Sequence, residues 1–210
     1  MKTTPKPIAF VSVDIEATGP NPREHSIISI GCSTIITDGV IEYGKTDREF
    51  FCNLDNAVWD EHTLNWWEQN TKAYEENMKL VKDEGVSKEK MAQQIASYLA
   101  ELRKDYHLVF VAQPTAYENA YLIGWFGDIN PFPKKEWIDL YSFFAAFELV
   151  STGSIDFNRK LYSTMKKYYR PTVRHMAYYD AESQKSIFGS VFHELRELHS
   201  ALTKIKDYVK

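Results

Sequence analysis

The chain is short of the features that mark specialised protein classes. Only Cys32 and Cys52 are cysteines in 210 residues. Two are too few for a disulfide framework, so a reducing, cytoplasmic setting is expected. Glycine and proline number only 9 and 8, which excludes a collagen or a low-complexity chain. Long apolar runs are absent. The opening MKTTPKPIAFVSVDIEATG carries two lysines, but its apolar stretch is brief and Asp14 interrupts it. Neither a signal peptide nor a membrane span is expected. Excess charge is lacking too: 25 Lys and Arg against 29 Asp and Glu give a net charge of -4. That excludes a generally cationic nucleic-acid coat and leaves room for a local basic surface. No repeat occurs at solenoid spacing.

What is present is ordinary for a folded protein, with 44% hydrophobic and 26% charged residues. One domain over 1–210 is expected, burying roughly 70% of its unfolded surface. Aromatic residues reach 14%. They serve a core of large side chains, and some can stack on flat ligands such as bases.

The β-branched run Ile8 to Val13, behind Pro7, reads as a buried central strand. Further strands are expected over 26–36, 40–43 and 48–52, with antiparallel neighbours where the turns are short. Residues 60–77 have helical spacing. Residues 87–103 form a better helix, with Ser87 as N-cap and a stripe of Met91, Ile95, Tyr98, Leu99 and Leu102. A strand at 107–112, a helix at 118–126, a strand at 137–140 and a helix at 141–149 follow. Two closing helices are expected at 176–188 and 191–208, and loop at both ends of 151–174. Strands first, then helices alternating with single strands, indicate an α/β fold with a mixed sheet flanked by helices.

Asp14 and Glu16 stand two apart, so a strand puts both carboxylates on one side. Desolvated and self-repelling, such a pair calls for a cation, and oxygen ligands suit Mg²⁺ or Mn²⁺. Taken alone, D-x-E also fits a cap or turn beside Thr18-Gly19. His175 and Asp180 are spaced so that a helix beginning after the histidine carries Asp180 on its second turn. Taken alone, H-x4-D also fits a surface helix start.

Joined in order, these motifs resemble the DEDDh family of 3′-to-5′ exonucleases, which has a ribonuclease-H-like fold. D-I-E-A-T-G matches the first motif and H-x4-D the third. Pro114-Thr-Ala-Tyr117-Glu118 stands where the second motif reads roughly N-x-x-F-D, with Glu in place of Asp and Pro in place of Asn. The segment HTLNWWEQN at 62–70 resembles the T-x-x-W-W-x-x-Q segment of the branch holding the mycobacterial-type exoribonuclease and the T4-type phage exonuclease A.

The resemblance implies attack of water on the 3′-terminal phosphodiester, with two Mg²⁺ or Mn²⁺ ions per site. Asp14, Glu16, Glu118 and Asp180 are the implied metal ligands and His175 the implied general base. Ala17 and Thr18 are implied contacts of the terminal nucleotide, Thr18 serving equally well to hold the Thr-Gly bend. On a helix Trp66 and Trp67 point about 100° apart. Trp67 shares the stripe of Leu64 and Tyr74 and is the core residue, leaving Trp66 to stack on a base. Residues 156–174 interleave Lys166, Lys167 and Arg170 with tyrosines and suit the backbone of a single strand. The expected partner is the 3′ end of single-stranded RNA or DNA, with no membrane. A homodimer is open, as is the choice of sugar. Three other readings stand beside it: a catalytically weakened nucleic-acid-binding module on the same fold, a metal phosphohydrolase acting on small nucleotides, and a structural domain in which the acidic residues are only caps.

Overall fold

The computed structural model describes residues 6–37, 41–43, 46–152 and 175–208. Six strands form one mixed sheet: β1 (Ile8–Ala17), β2 (Ile27–Thr37), β3 (Ile41–Tyr43), β4 (Arg48–Phe51), β5 (His107–Ala112) and β6 (Trp137–Asp139). Their order is β3-β2-β1-β5-β6, with β4 also paired to β2. Strands β2 and β1 are antiparallel, while β5 runs parallel to β1 and β6 parallel to β5. The helices are α1 (Glu61–Gln69), α2 (Thr71–Glu84), α3 (Lys88–Asp105), α4 (Thr115–Phe126), α5 (Leu140–Thr152) and α6 (Ala177–Tyr208). Among the described residues no helix is long and apolar enough to cross a membrane.

Strand periodicity sorts β1 into two faces. Ala9, Val11, Val13 and Ile15 enter one core with Met91, Ile95 and Leu99 of α3 and Tyr121 and Leu122 of α4. Phe10 enters a second core with Leu140 and Phe144 of α5 and Ile187, Phe188 and Val191 of α6. Helices therefore cover both faces of the sheet, as a ribonuclease-H-like architecture requires. Ser12, Asp14 and Glu16 continue the face of Phe10 toward the C-terminal end of β1.

Helix α6 lies along that face in the opposite direction to β1. Phe188 packs on Phe10, with ring centroids 4.7 Å apart. One turn earlier, Gln184 reaches Ser12 and Asp14. One turn earlier again, Asp180 interacts with Asp14 and Glu16. Two features set this fit. Gly31, opposite Asp14 on β2, leaves room for the start of α6: a β-carbon there would collide with the Ala177 carbonyl. Lys185 forms a buried ion pair with Asp47 at 3.0 Å, and Asp47 also accepts from Ser33 Oγ and Thr34 N.

The fold departs from expectation in four places. Strand β1 runs on to Ala17, because β2 keeps pairing with it through Ala17↔Ile27. The helix expected over 60–77 is two helices broken at Asn70, whose side chain donates to the Trp66 carbonyl and competes with the helical backbone. The expected closing pair is one helix. Ile187, Phe188 and Val191 are buried on either side of Gly189, and that burial outweighs the roughly 1 kcal/mol cost of a helical glycine. Asp180 falls in the first turn of α6 rather than the second, since the helix starts at Ala177. The segment 153–174 lies outside the described residues.

Gly31→Ala tests the register of α6. Overpacking there is expected to cost about 1–3 kcal/mol, read as a lowered urea midpoint. An unchanged midpoint contradicts the tight approach.

Candidate active site

The site forms where β5 ends sooner than β1. Pairing of β1 with β5 stops at Ser12↔Val111, so among the described residues one edge of 13–17 lacks a strand neighbour. The chain turns into α4 beside that notch. This brings Glu118 up to accept a hydrogen bond from the Ile15 backbone. Asp14 and Glu16 project from the α6 face of β1, and Asp180 comes from the first turn of α6. Asp14 interacts electrostatically with Asp180, while Glu118 interacts with both Asp14 and Glu16. Four carboxylates from three elements thus share one small volume.

His175 precedes α6 with a left-handed backbone, φ 64°, a conformation uncommon outside glycine. It is held from both sides. Its N–H donates to Asp180 Oδ2 at 2.9 Å, and its carbonyl accepts from Asn77 Nδ2 at 2.9 Å. Its ring meets the Trp66 ring at 4.5 Å and 86°. Trp66 is 39% exposed and Trp67 only 1%. Trp67 Nε1 donates to the Ala17 carbonyl at 3.4 Å, tying α1 to the strand end after the acidic pair. Thr18 is buried, and its hydroxyl donates to Val58 O and accepts from Ser26 N. Its side chain therefore holds the bend. Lys166, Lys167 and Arg170 lie outside the described residues.

Burial holds the Asp14, Glu16 and Glu118 carboxyls well above their usual range, with repulsion among them adding to the effect. A fifth acid, Glu49 of β4, is pushed to about 7, chiefly by burial, although it accepts from the Tyr178 N–H. Tyr117 is 41% exposed, yet its phenol is pushed to about 12, first by burial and then by Glu118, Glu16 and Asp14. The pocket is one of unmet negative charge.

Divalent cations fit this donor set. Ligand atoms of Glu16, His175 and Asp180 all lie within 4.8 Å of one another. Glu118 Oε2 is buried without a hydrogen-bond partner among the described residues. Hard oxygen donors of this kind suit Mg²⁺ or Mn²⁺.

A family model described as the 3′-5′ exoribonuclease Rv2179c-like domain matches residues 9–192. The chain belongs to this 3′-5′ exoribonuclease Rv2179c-like family. Solved structures share its fold at low identity. The nuclease domain of 3′hExo, a DEDDh family member bound to rAMP, aligns with a TM-score of 0.64 at 15% identity, over 92% of this chain and 95% of that one. E. coli exonuclease I with a dT13 oligonucleotide gives 0.59 at 13% identity, over 97% of this chain and 43% of that one. A zinc-bound complex of the same E. coli enzyme with single-stranded DNA gives 0.59 at 13%, over 92% and 41%. The chain thus spans less than half the length of exonuclease I. No curated protein matches it.

Glu49, Asn77, Gln184 and Gly31 escape a reading of the sequence. Only Gln184 carries a signal, four residues after Asp180 and so on the same helix face.

The raised carboxyls set a pH dependence. A folded-state pKa above the unfolded value stabilises fully below the unfolded value, and that contribution is lost as pH rises through the folded one. For Glu49 that folded value is about 7. The Tm of the protein in EDTA should therefore fall between about pH 5 and about pH 8, and Mn²⁺ should flatten the fall. A metal-free Tm that is level or rising over that range contradicts the burial of these acids.

Proposed function

We propose that this exonuclease removes nucleoside 5′-monophosphates from the 3′ end of single-stranded nucleic acid. In this reading Asp14, Glu16, Glu118 and Asp180 hold two Mg²⁺ or Mn²⁺ ions, and His175 is the general base. The observation that carries it is the convergence of those four acids, from β1, α4 and α6, beside the His175 backbone anchor. Bound there, such ions steady charge on the attacked phosphate and acidify water.

His175 takes the proton of the attacking water. An imidazole is the side chain best suited to taking a proton near neutral pH. Asn77 and Asp180 pin the left-handed backbone of His175 and Trp66 packs on its ring, and a misplacement of about 1 Å costs on the order of a hundredfold in rate. The exposed face of Trp66 stacks on a base, an interaction of about 1–3 kcal/mol that tolerates any sequence. The Ala17 backbone borders the terminal sugar. Lys166, Lys167 and Arg170 track the phosphates. The description of the matched family as an exoribonuclease favours RNA.

Glu118 in place of an aspartate favours the rival reading, a binding module without activity. Its proximity to Asp14 and Glu16 supports the enzyme instead, because the longer side chain still delivers its carboxylate to the cluster. Side-by-side digestion of 5′-labelled and 3′-labelled RNA and DNA oligomers decides between them. The 5′-labelled RNA should shorten stepwise in Mn²⁺ and stay intact in EDTA, with the 3′ label released first as mononucleotide. In the same assay Trp66→Ala should raise KM about tenfold or more. Binding without shortening supports the module, and cleavage in excess chelator overturns the metal role.

A further inference from the structure

Asp14 is the acid on which the others converge, and one of its oxygens already has a partner. Gln184 Nε2 donates to Asp14 Oδ1 at 2.7 Å. Gln184 is buried, at 7% exposure, and the far end of its amide is also held: Ser12 Oγ donates to Gln184 Oε1 at 3.4 Å. A carboxylate only accepts, so the Asp14 side decides which way the amide faces, and the Ser12 hydroxyl, free to rotate, donates to the oxygen left at the other end. The NH₂ end is thereby turned to Asp14, where the reverse orientation would set oxygen against oxygen.

The torsion that turns a carboxylate is broad and nearly twofold. A carboxylate with no fixed partner therefore samples many angles and loses that freedom when it binds. We infer that Gln184 is a positioning residue: held at its far end by Ser12, it sets the angle of the Asp14 carboxylate before any cation arrives. It lies one turn after Asp180 on α6, so one helix carries both an acid of the site and the amide that orients another. This inference rests on the cation-binding reading of the site.

The test is titration of Mn²⁺, followed by the electron paramagnetic resonance of the free ion, on wild type, Gln184→Leu and Asp14→Asn. Gln184→Leu should bind Mn²⁺ about 10–100-fold more weakly, the usual cost of losing a partner that orients a ligand. Its half-activating Mn²⁺ concentration should rise by the same factor, with the oligonucleotide KM at saturating Mn²⁺ unchanged. A purely structural role would lower Tm and leave Mn²⁺ affinity alone. If Gln184→Leu does not fold, Gln184→Met, unbranched and of similar volume, is read by the same criterion. A folded variant whose Mn²⁺ affinity stays within about twofold of wild type overturns the inference. Wild type that binds no Mn²⁺, or Asp14→Asn that binds it equally well, overturns the cation reading itself.

Discussion

The commensurate fit of a helix on a strand governs this molecule. Four residues of α-helix rise about 6 Å and two residues of strand about 6.7 Å, so side chains at i, i+4 and i+8 of one stay nearly in step with alternate side chains of the other. Helix α6 uses this against β1. Phe188 on Phe10 supplies apolar burial, Gln184 bridges Ser12 and Asp14, and Asp180 reaches the acidic end. The apolar contact stabilises the register, and the register carries the polar groups to their places. Gly31 lets the helix start approach. The buried Lys185–Asp47 pair fixes its rotation, since loss of either partner would strand a buried charge.

That register assembles what free chains avoid. Carboxylates placed together out of water repel one another, and burial adds a larger penalty to each. Hydrogen bonds offset part of it: Gln184 on Asp14, the Ile15 backbone on Glu118, Tyr178 N–H on Glu49. The remainder is met by protons in the metal-free protein and, in the proposed metal-bound form, by cations. Stability is thus given up at the place where charge is needed, a common feature of functional sites.

Much of this was legible in the sequence, and the reasons are local. The run from Ile8, the strand at His107–Ala112 and the Ser87 cap of α3 follow from β-branching, periodicity and side-chain chemistry within a few residues. Asp14, Glu16, His175 and Asp180 stand in short motifs, and Glu118 was found through the resemblance that joins them. What was illegible depends on distant contacts. Asn70 breaks a helix through a side-chain bond that competes with its own backbone. Gly189 does not break one because the sheet buries its neighbours. Asn77 and Gln184 reach partners 98 and 170 positions away, which no spacing rule along the chain encodes.

The most direct measurement is anomalous scattering from a crystal of the protein soaked in Mn²⁺. The account predicts two manganese peaks among the carboxylates of Asp14, Glu16, Glu118 and Asp180, beside the His175 imidazole. A well-ordered map with no peak there, or with ions bound only elsewhere on the surface, would contradict it.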